Sequence, residues 1–239
     1  MRRGSTKSSA PRILATPPST EEFVRLYVAL RQETERTGAK IYFVDEALFR
    51  ADAALWGLWI LKGTPALVDS SSPRLAERVV YYSAVCLETG ETEQMEVEGN
   101  CTAVTSAAFP RQLRDGHPEA LVVFWDNGPA HRGEPIRTYL TTPDLRLRLV
   151  NLPGYSPDDN ADEPIWDWVR EEVTANTCWD TKAKVREKVG AYFAELCERA
   201  DEVTRRCRTA LQAGTDAQGS PQPLPQQPTE HVGLTLALI

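Results

Sequence analysis

Apolar residues along the chain switch between helical and strand-like spacing, and this pattern predicts the order of the elements. A capping-box sequence at Ser19–Glu22 opens a segment whose apolar residues recur every three or four positions, so we expect a helix over residues 20–37. Two nearly continuous apolar runs, Ile41–Val44 and Leu121–Trp125, are typical of strands that are covered on both faces. The pattern therefore combines helices with buried strands.

The remaining strands are predicted from turn residues and from alternation. Residues 79–87 and 92–97 flank Thr89-Gly90 and are expected to form a hairpin. Residues 145–150 alternate apolar and polar positions, which predicts a half-exposed strand. Further helices are expected over residues 101–115, from His131 to Thr142, across Ile165–Val173, and over 181–211. This order predicts an α/β fold in which helices flank a mixed sheet.

Composition at the two ends of the chain differs from that of the middle. Residues 1–18 contain four basic residues and no acid, which predicts a flexible arm; an arm that contacts DNA is the alternative. Residues 212–239 begin with a stretch rich in Gln, Pro and Gly, and we expect a disordered tail there. A single domain over residues 19–211 is expected between them.

The bulk composition limits the classes of protein to which the chain can belong. Of 239 residues, 41% are hydrophobic and 26% are charged, as in ordinary globular proteins. The chain has no apolar run near the roughly 20 residues that span a bilayer, and no apolar signal core follows Met1–Ser5, so we expect a cytoplasmic protein without a membrane partner. Five cysteines without a CxxC pair indicate reduced thiols. The net charge of −7 indicates weak DNA binding by this chain alone.

Three acidic residues occupy positions from which a metal site can be built. Asp45 and Asp126 each follow an apolar run, and we expect the two strands to stop on these residues. If the strands are central neighbours, their carboxyl ends bring both side chains to the edge where open α/β sheets bind ligands. Two such carboxylates repel each other unless cations neutralise them, and oxygen ligands suit Mg²⁺ or Mn²⁺. The alternative is that each aspartate simply begins a turn.

Glu163 is the third acid, and its role depends on where the next helix begins. A capping box that starts at Asn160 would make Pro164 the fourth helical residue, where its missing N–H breaks the first helical hydrogen bond. A helix that begins at Asp162 or Glu163 puts Pro164 in the first turn and leaves the glutamate free to face the sheet edge. His131 follows the second aspartate by five residues, and it is either an ordinary surface residue or a group that orients a ligand near the metals.

Three segments resemble the catalytic domain of the mariner superfamily of DDE transposases, in its bacterial insertion-sequence branch. They are Phe43–Glu46, Trp125–His131 and Leu152–Trp166. The last is the most specific, because it has Leu-Pro, Tyr-Ser-Pro, Asn, Glu and Trp at the offsets of the family motif. The resemblance covers roughly residues 20–200 and implies a ribonuclease-H-like fold.

The resemblance also implies a chemistry and the residues for it. Asp45, Asp126 and Glu163 would be the catalytic residues of a DNA endonuclease and strand transferase and would bind two Mg²⁺ or Mn²⁺ ions. Asn127 and His131 would be accessory residues. Water, and later a DNA 3′-hydroxyl, would attack phosphodiesters at the element ends, with cut-and-paste insertion at TA dinucleotides. The implied partners are DNA, at transposon ends and TA targets, and a second copy of the chain in a homodimer.

The chain departs from the family pattern ahead of its first catalytic aspartate. Only 44 residues precede Asp45, which is too few for the paired helix-turn-helix domains that members of the family carry there. We therefore expect a truncated element product, the second half of a frameshifted gene or a remnant, with helix-turn-helix domains on a separate polypeptide. Asp162 and Pro164 also differ from the residues expected around the glutamate. The alternatives to an active transposase domain are a catalytically silent remnant, acting as a binding or dimerisation module, and a nuclease for RNA–DNA hybrids.

Overall fold

A mixed sheet forms the centre of the protein, and helices pack on both of its faces. The computed structural model describes residues 17–52, 67–68 and 77–208. Most of the predicted basic arm (residues 1–16) and the whole predicted tail (212–239) lie outside these residues. The element order confirms the predicted α/β fold with a mixed sheet.

The strands and helices have the following bounds. The strands are β1 (Lys40–Arg50), β2 (Arg78–Cys86), β3 (Glu91–Val97), β4 (Leu121–Trp125) and β5 (Leu147–Asn151). The helices are α1 (Thr20–Thr37), α2 (Ala103–Gly116), α3 (Glu134–Leu140), α4 (Glu163–Val169), α5 (Lys182–Leu196) and α6 (Ala200–Cys207). Short 3-10 turns lie at Pro129–Arg132 and Pro157–Asp159, and a π-helical turn at Arg170–Thr174 continues α4. Within the described residues, none of the helices has the length and apolar character needed to cross a bilayer.

The strand order in the sheet is β3-β2-β1-β4-β5. β1, β4 and β5 run parallel, whereas β2 is antiparallel to both of its neighbours. β2 and β3 form the predicted hairpin, and Gly90 in its turn has a φ of 70°. A Cβ at Gly90 would lie 2.1 Å from the carbonyl oxygen of Ala200, so only glycine allows the hairpin to approach the start of α6 this closely.

Both faces of the sheet are covered by apolar packing. α1 has the predicted bounds and capping box, and its Phe23 meets Phe124 of β4 edge-on with ring centroids 5.5 Å apart. On the opposite face, Phe109 of α2 stacks on Tyr82 of β2 with centroids 5.5 Å apart. Because both faces are covered, every residue of β4 is buried, as its continuous apolar run predicts.

β1 does not end at Asp45, as the apolar run predicted, but continues to Arg50. The extension is stabilised by β2, which pairs with β1 over Tyr42–Arg50. β4 pairs with β1 only over Lys40–Phe43, so the other edge of β1 has no β4 partner beyond Phe43. The first aspartate therefore lies within a strand and still reaches the end of the parallel part of the sheet.

β5 is not the half-exposed strand that its alternation predicted. Of its residues, only Arg148 is partly exposed and the other four are buried. The reason is that residues on both faces of β5 join a core: Leu147 and Leu149 pack on one side and Val150 on the other.

The predicted helix over residues 181–211 is in fact two helices, α5 and α6. Residues 197–199 turn the chain between them, and α6 then packs against α4. This reversal buries Val203 and Cys207, which a straight continuation of α5 would carry away from the core.

Candidate active site

The parallel pairing of β1 and β4 brings two of the predicted acids to the same edge of the sheet. Phe43 is paired with Phe124, and Asp45 and Asp126 each follow their paired residue by two positions. Since β4 ends at Trp125 while β1 continues, the two aspartates lie where the sheet opens into a crevice. The structure therefore places both side chains at the carboxyl edge of adjacent central strands.

Glu163 reaches this edge from the first turn of α4. The helix begins at Glu163 with Pro164 as its second residue, a start that needs no hydrogen bond from the proline. Asn160 does not cap the helix: its Nδ2 donates to the carbonyl of Val44 at 3.4 Å, and its Oδ1 accepts from the backbone N–H of Asp162 at 3.2 Å. The capping-box alternative is therefore wrong. Asn160 instead ties the loop before α4 to the residue that precedes the first aspartate.

All three predicted acids line one cleft of about 500 Å³. Its walls are formed by β1, by the turn after β4 and by the loop between β5 and α4. Asn127, Arg132 and Tyr155 line the same cleft. Its volume lies within the range of about 300–1,000 Å³ that is usual for ligand sites.

The carboxyl of Asp45 is crowded by other acids. Burial is the main reason that the pKa of Asp45 is raised to about 10, and its hydrogen bond with the carboxyl of Glu163 adds to the effect. The negative charges of Asp162 and Glu46 act in the same direction. Carboxyl groups this close together need a shared proton or a bound cation in order to coexist.

Asp126 is held by a histidine and by a backbone amide. Nδ1 of His131 lies 2.7 Å from Oδ1 of Asp126, and the N–H of Gly128 donates to the same oxygen at 2.8 Å. Burial raises the pKa of Asp126, but these two hydrogen bonds, with the positive charges of His131 and Arg132, outweigh burial and the pKa is lowered overall. The buried ring of His131 stacks on Trp125 with centroids 4.4 Å apart, which fixes its orientation. His131 is therefore a buried residue that contacts Asp126, and not an ordinary surface residue.

Glu46 completes this arrangement, although it was not among the predicted site residues. Its Oε2 lies 3.5 Å from Nε2 of His131. Burial lowers the pKa of His131, but the hydrogen bond to Asp126 and the nearby carboxylate of Glu46 outweigh burial and raise the pKa to about 9. The sequence signal for Glu46 is its position next to Asp45. Neighbouring side chains of a strand point to opposite faces of the sheet. The spacing alone therefore predicts that only one of Asp45 and Glu46 faces the cleft.

Asp162 is a second site residue that the sequence did not predict. It is fully buried beside Glu163, and its Oδ2 accepts a short hydrogen bond from the hydroxyl of Ser83. Burial is the main reason that the pKa of Asp162 is raised well above its usual value; the hydrogen bonds from Ser83 and from the backbone of Asp45 act against this. Ser83 is the β2 partner of Asp45 in the sheet register. The buried pair therefore joins the start of α4 to the strand that carries the first aspartate.

The donor atoms of the cleft fit hard divalent cations. Besides the three carboxylates, the Oδ1 of Asn127 is buried and has no hydrogen-bond partner among the described residues, while its Nδ2 donates to the carbonyl of Leu152 at 2.7 Å. Oxygen atoms of these kinds are the ligands that Mg²⁺ and Mn²⁺ prefer. In the described part of the chain, two sets of three ligand atoms lie within 4.8 Å of one another, and the predicted triad is neither of them.

The first of the two compact sets is Glu46, Asp126 and His131, of which Asp126 lines the cleft. The second set, Glu91, Glu93 and His117, lies at the opposite edge of the sheet, where β1 begins. There the ammonium of Lys40 lies 2.7 Å from Oε2 of Glu91 and 2.9 Å from Oε1 of Glu119. Since Glu91 pairs with this ammonium and Oε1 of Glu93 lies 3.8 Å from Nε2 of His117, the second set lies within an ion-pair network.

Known proteins with similar sequences or structures identify the family. Residues 40–186, more than half of the chain, match the family described as DDE superfamily endonuclease. No curated protein sequence matches the chain significantly. Among solved structures, the mariner Mos1 paired-end complex with Mg has a TM-score of 0.55 at 15% identity, over 84% of this chain and 61% of that chain. The pre-cleavage Mos1 transpososome has a TM-score of 0.55 at 15% identity, over 80% of this chain and 59% of that one.

Likeness at this level of identity shows a shared fold, and the predicted ribonuclease-H-like architecture is confirmed. The chain spans about three fifths of the length of the Mos1 chains that it matches. The matched range contains Asp45, Asp126 and Glu163. The family match over more than half of the chain leads to one conclusion: the chain belongs to the DDE superfamily endonuclease family.

Proposed function

We propose that this chain is the catalytic domain of a DDE transposase from the bacterial insertion-sequence branch of the mariner superfamily. Its activity is Mg²⁺- or Mn²⁺-dependent cleavage of DNA followed by strand transfer. The observation that carries the proposal is the convergence of Asp45, Asp126 and Glu163, from three separate elements, on one cleft. Membership of the DDE endonuclease family supports the same chemistry.

In this proposal the three carboxylates hold a pair of divalent cations. When bound, two such ions activate a water or hydroxyl group and stabilise the leaving oxygen in phosphoryl transfer. The chain itself orients the ligands: His131 and the N–H of Gly128 hold Asp126. Asp162 fixes the start of α4 beside Asp45. Groups that orient metal ligands in this way typically change metal affinity or activity by about 10–100-fold.

We infer that the substrate is DNA. The Mos1 structures that share the fold are described as a paired-end complex with a left transposon end and as a strand transfer complex. For this chain we propose transposon ends and a TA target as substrates, acted on by a homodimer of the domain at residues 19–211 in the cytoplasm. A separate helix-turn-helix polypeptide supplies specific DNA binding. DNA-binding proteins neutralise phosphates with Lys and Arg side chains. The net charge of −7 of this chain therefore supports a separate partner that supplies them.

Calorimetric titration with Mn²⁺ and nicking of supercoiled plasmid by the purified protein test the proposal. We expect Mn²⁺ binding by the wild type and nicking that requires Mg²⁺ or Mn²⁺. Asp126→Asn should abolish nicking. Glu93→Gln is the matched control, because it removes one carboxylate from the ion-pair network at the opposite edge and should leave nicking intact. A wild-type protein that binds no Mn²⁺ refutes the proposal.

The acidic net charge favours a second candidate function, a catalytically silent remnant that acts as a binding or dimerisation module. The same assay separates the two candidates. Mn²⁺ binding without nicking of DNA by the wild type, together with an identical cellular phenotype for wild type and Asp126→Asn, supports the silent module. An RNA–DNA hybrid included as a substrate tests the third alternative, since cleavage of the hybrid alone identifies a hybrid nuclease.

A further inference from the structure

Tyr155 is an exposed aromatic residue at the rim of the cleft. Its side chain is fully exposed, and within the described residues it has no hydrogen-bond or ring partner. The backbone of Tyr155 has a φ of 56°, in the left-handed region that is strained for a bulky residue, and Pro153 and Pro157 bracket it in the loop. A strained backbone that exposes an aromatic ring to water does not stabilise the fold. Residues with strained backbones of this kind cluster at binding sites.

Arg132 faces the same cleft from the turn after β4. The residue is exposed, and among the described residues its guanidinium has no acidic partner. Its positive charge is close enough to Asp126 to contribute to the lowered pKa of that carboxyl. A cleft lined by three carboxylates repels phosphate groups, and an unpaired guanidinium beside them supplies a fixed, planar cation that suits phosphate oxygens.

We propose that Arg132 and Tyr155 hold one unpaired DNA strand in the cleft, with the guanidinium on a phosphate and the phenol ring stacked on a base. The inference deepens the proposed function, on which it rests. A base within a duplex has both faces covered by its neighbours, whereas an unpaired base offers a free face to an aromatic ring. Stacking of this kind tolerates any base, because every base has a π-face. Contact with a phosphate is equally independent of sequence.

Fluorescence anisotropy with a fluorescein-labelled single strand of twelve thymidines, in Ca²⁺ to prevent cleavage, tests this proposal. From the usual strength of base stacking, Tyr155→Ala should weaken binding of the strand by about 5-fold to 150-fold. Tyr155→Phe retains the ring and should bind within about twofold of the wild type, as expected if stacking dominates. Binding of a fully paired 12-bp duplex should change by less than about twofold in Tyr155→Ala, because only its two terminal pairs offer a free face.

Salt dependence separates the two residues. Arg132→Ala should reduce the slope of log affinity against log salt by about 0.7, the value for one phosphate contact on a single strand, whereas Tyr155→Ala should leave the slope unchanged. Arg36→Ala is the matched control, since it removes an exposed arginine from the end of α1 at the opposite edge of the sheet. It should leave the slope as in the wild type. Melting temperatures measured in parallel confirm that each variant is folded.

Any one of three results with the variants overturns the inference. They are unchanged strand affinity in Tyr155→Ala, equal weakening by Tyr155→Phe and Tyr155→Ala, and a change of slope in Arg36→Ala as large as that in Arg132→Ala. A wild-type protein that binds Mn²⁺ but not the strand also overturns it and leaves the metal proposal standing. Failure of the proposed function is seen separately, as an absence of Mn²⁺ binding in calorimetry.

Discussion

Ser83→Ala removes the hydroxyl that donates to the buried carboxyl of Asp162. Both residues are fully buried, so water does not replace the lost hydrogen bond. A buried polar group that loses its partner costs about 1–3 kcal/mol, and we expect the free energy of unfolding to fall by that amount. For a domain of this size the midpoint of thermal unfolding should then fall by about 2–12 °C.

Ser106→Ala is the matched control for this change. Ser106 is also buried, and its hydroxyl lies 2.7 Å from the hydroxyl of Tyr82. The lost hydrogen bond joins two uncharged hydroxyl groups, so the loss should be only about 0.5–1.5 kcal/mol. Urea unfolding, followed by tryptophan fluorescence, measures the free energy of unfolding of both variants. The two losses are compared directly if the free energy depends equally steeply on urea concentration in both.

The two variants should also differ at the metal site. Ser83→Ala weakens the link between the start of α4 and the strand that carries Asp45, so Mn²⁺ affinity should fall by about 10-fold or more, as for other groups that orient metal ligands. Ser106 does not line the cleft, so Ser106→Ala should keep wild-type affinity. Equal losses of stability in both variants, or unchanged Mn²⁺ affinity in Ser83→Ala, would contradict the role assigned to the buried pair.

Three other expectations follow from burial, backbone strain and ligand orientation. Burial raises the pKa of Cys86 to about 11, so iodoacetamide at pH 8 should label the exposed Cys197 and spare Cys86 until urea unfolds the protein, as mass spectrometry of digests will show. Tyr155→Gly relieves a left-handed backbone and should raise the free energy of unfolding by about 0.5–1 kcal/mol in urea titration, after the entropy cost of glycine. His131→Phe keeps an aromatic ring but removes the hydrogen bond to Asp126, so calorimetry should show Mn²⁺ affinity lowered by about 10–100-fold.

The parts of the fold that depend on local pattern are predictable from the sequence. The capping box and spacing of α1, the hairpin around Gly90 and the buried run Leu121–Trp125 each appear in the structure as predicted. Pro164 likewise predicts where α4 begins, because a proline is accepted only in the first turn. In all these cases, residues close together in the sequence determine the type of element and where it begins or ends.

The differences arise where distant segments decide the outcome. β1 passes Asp45 because β2, beginning at Arg78, pairs with it as far as Arg50. The break between α5 and α6 depends on packing against α4, which no spacing within the helix reveals. The roles of Glu46 and Asp162 depend on partners 85 and 79 positions away, His131 and Ser83. A carboxylate next to a predicted ligand can therefore contact the groups around the site even when its strand or helix position predicts that it points away.

In the proposed function, Asp45, Asp126 and Glu163 together hold divalent cations in the cleft. Anomalous scattering from crystals grown with saturating Mn²⁺ tests it most directly, because it locates the ions without reference to activity. We expect two peaks about 3.5–4 Å apart, in contact with oxygens of all three side chains. Peaks only at Glu91, Glu93 and His117, or a cleft without any peak, would contradict the claim.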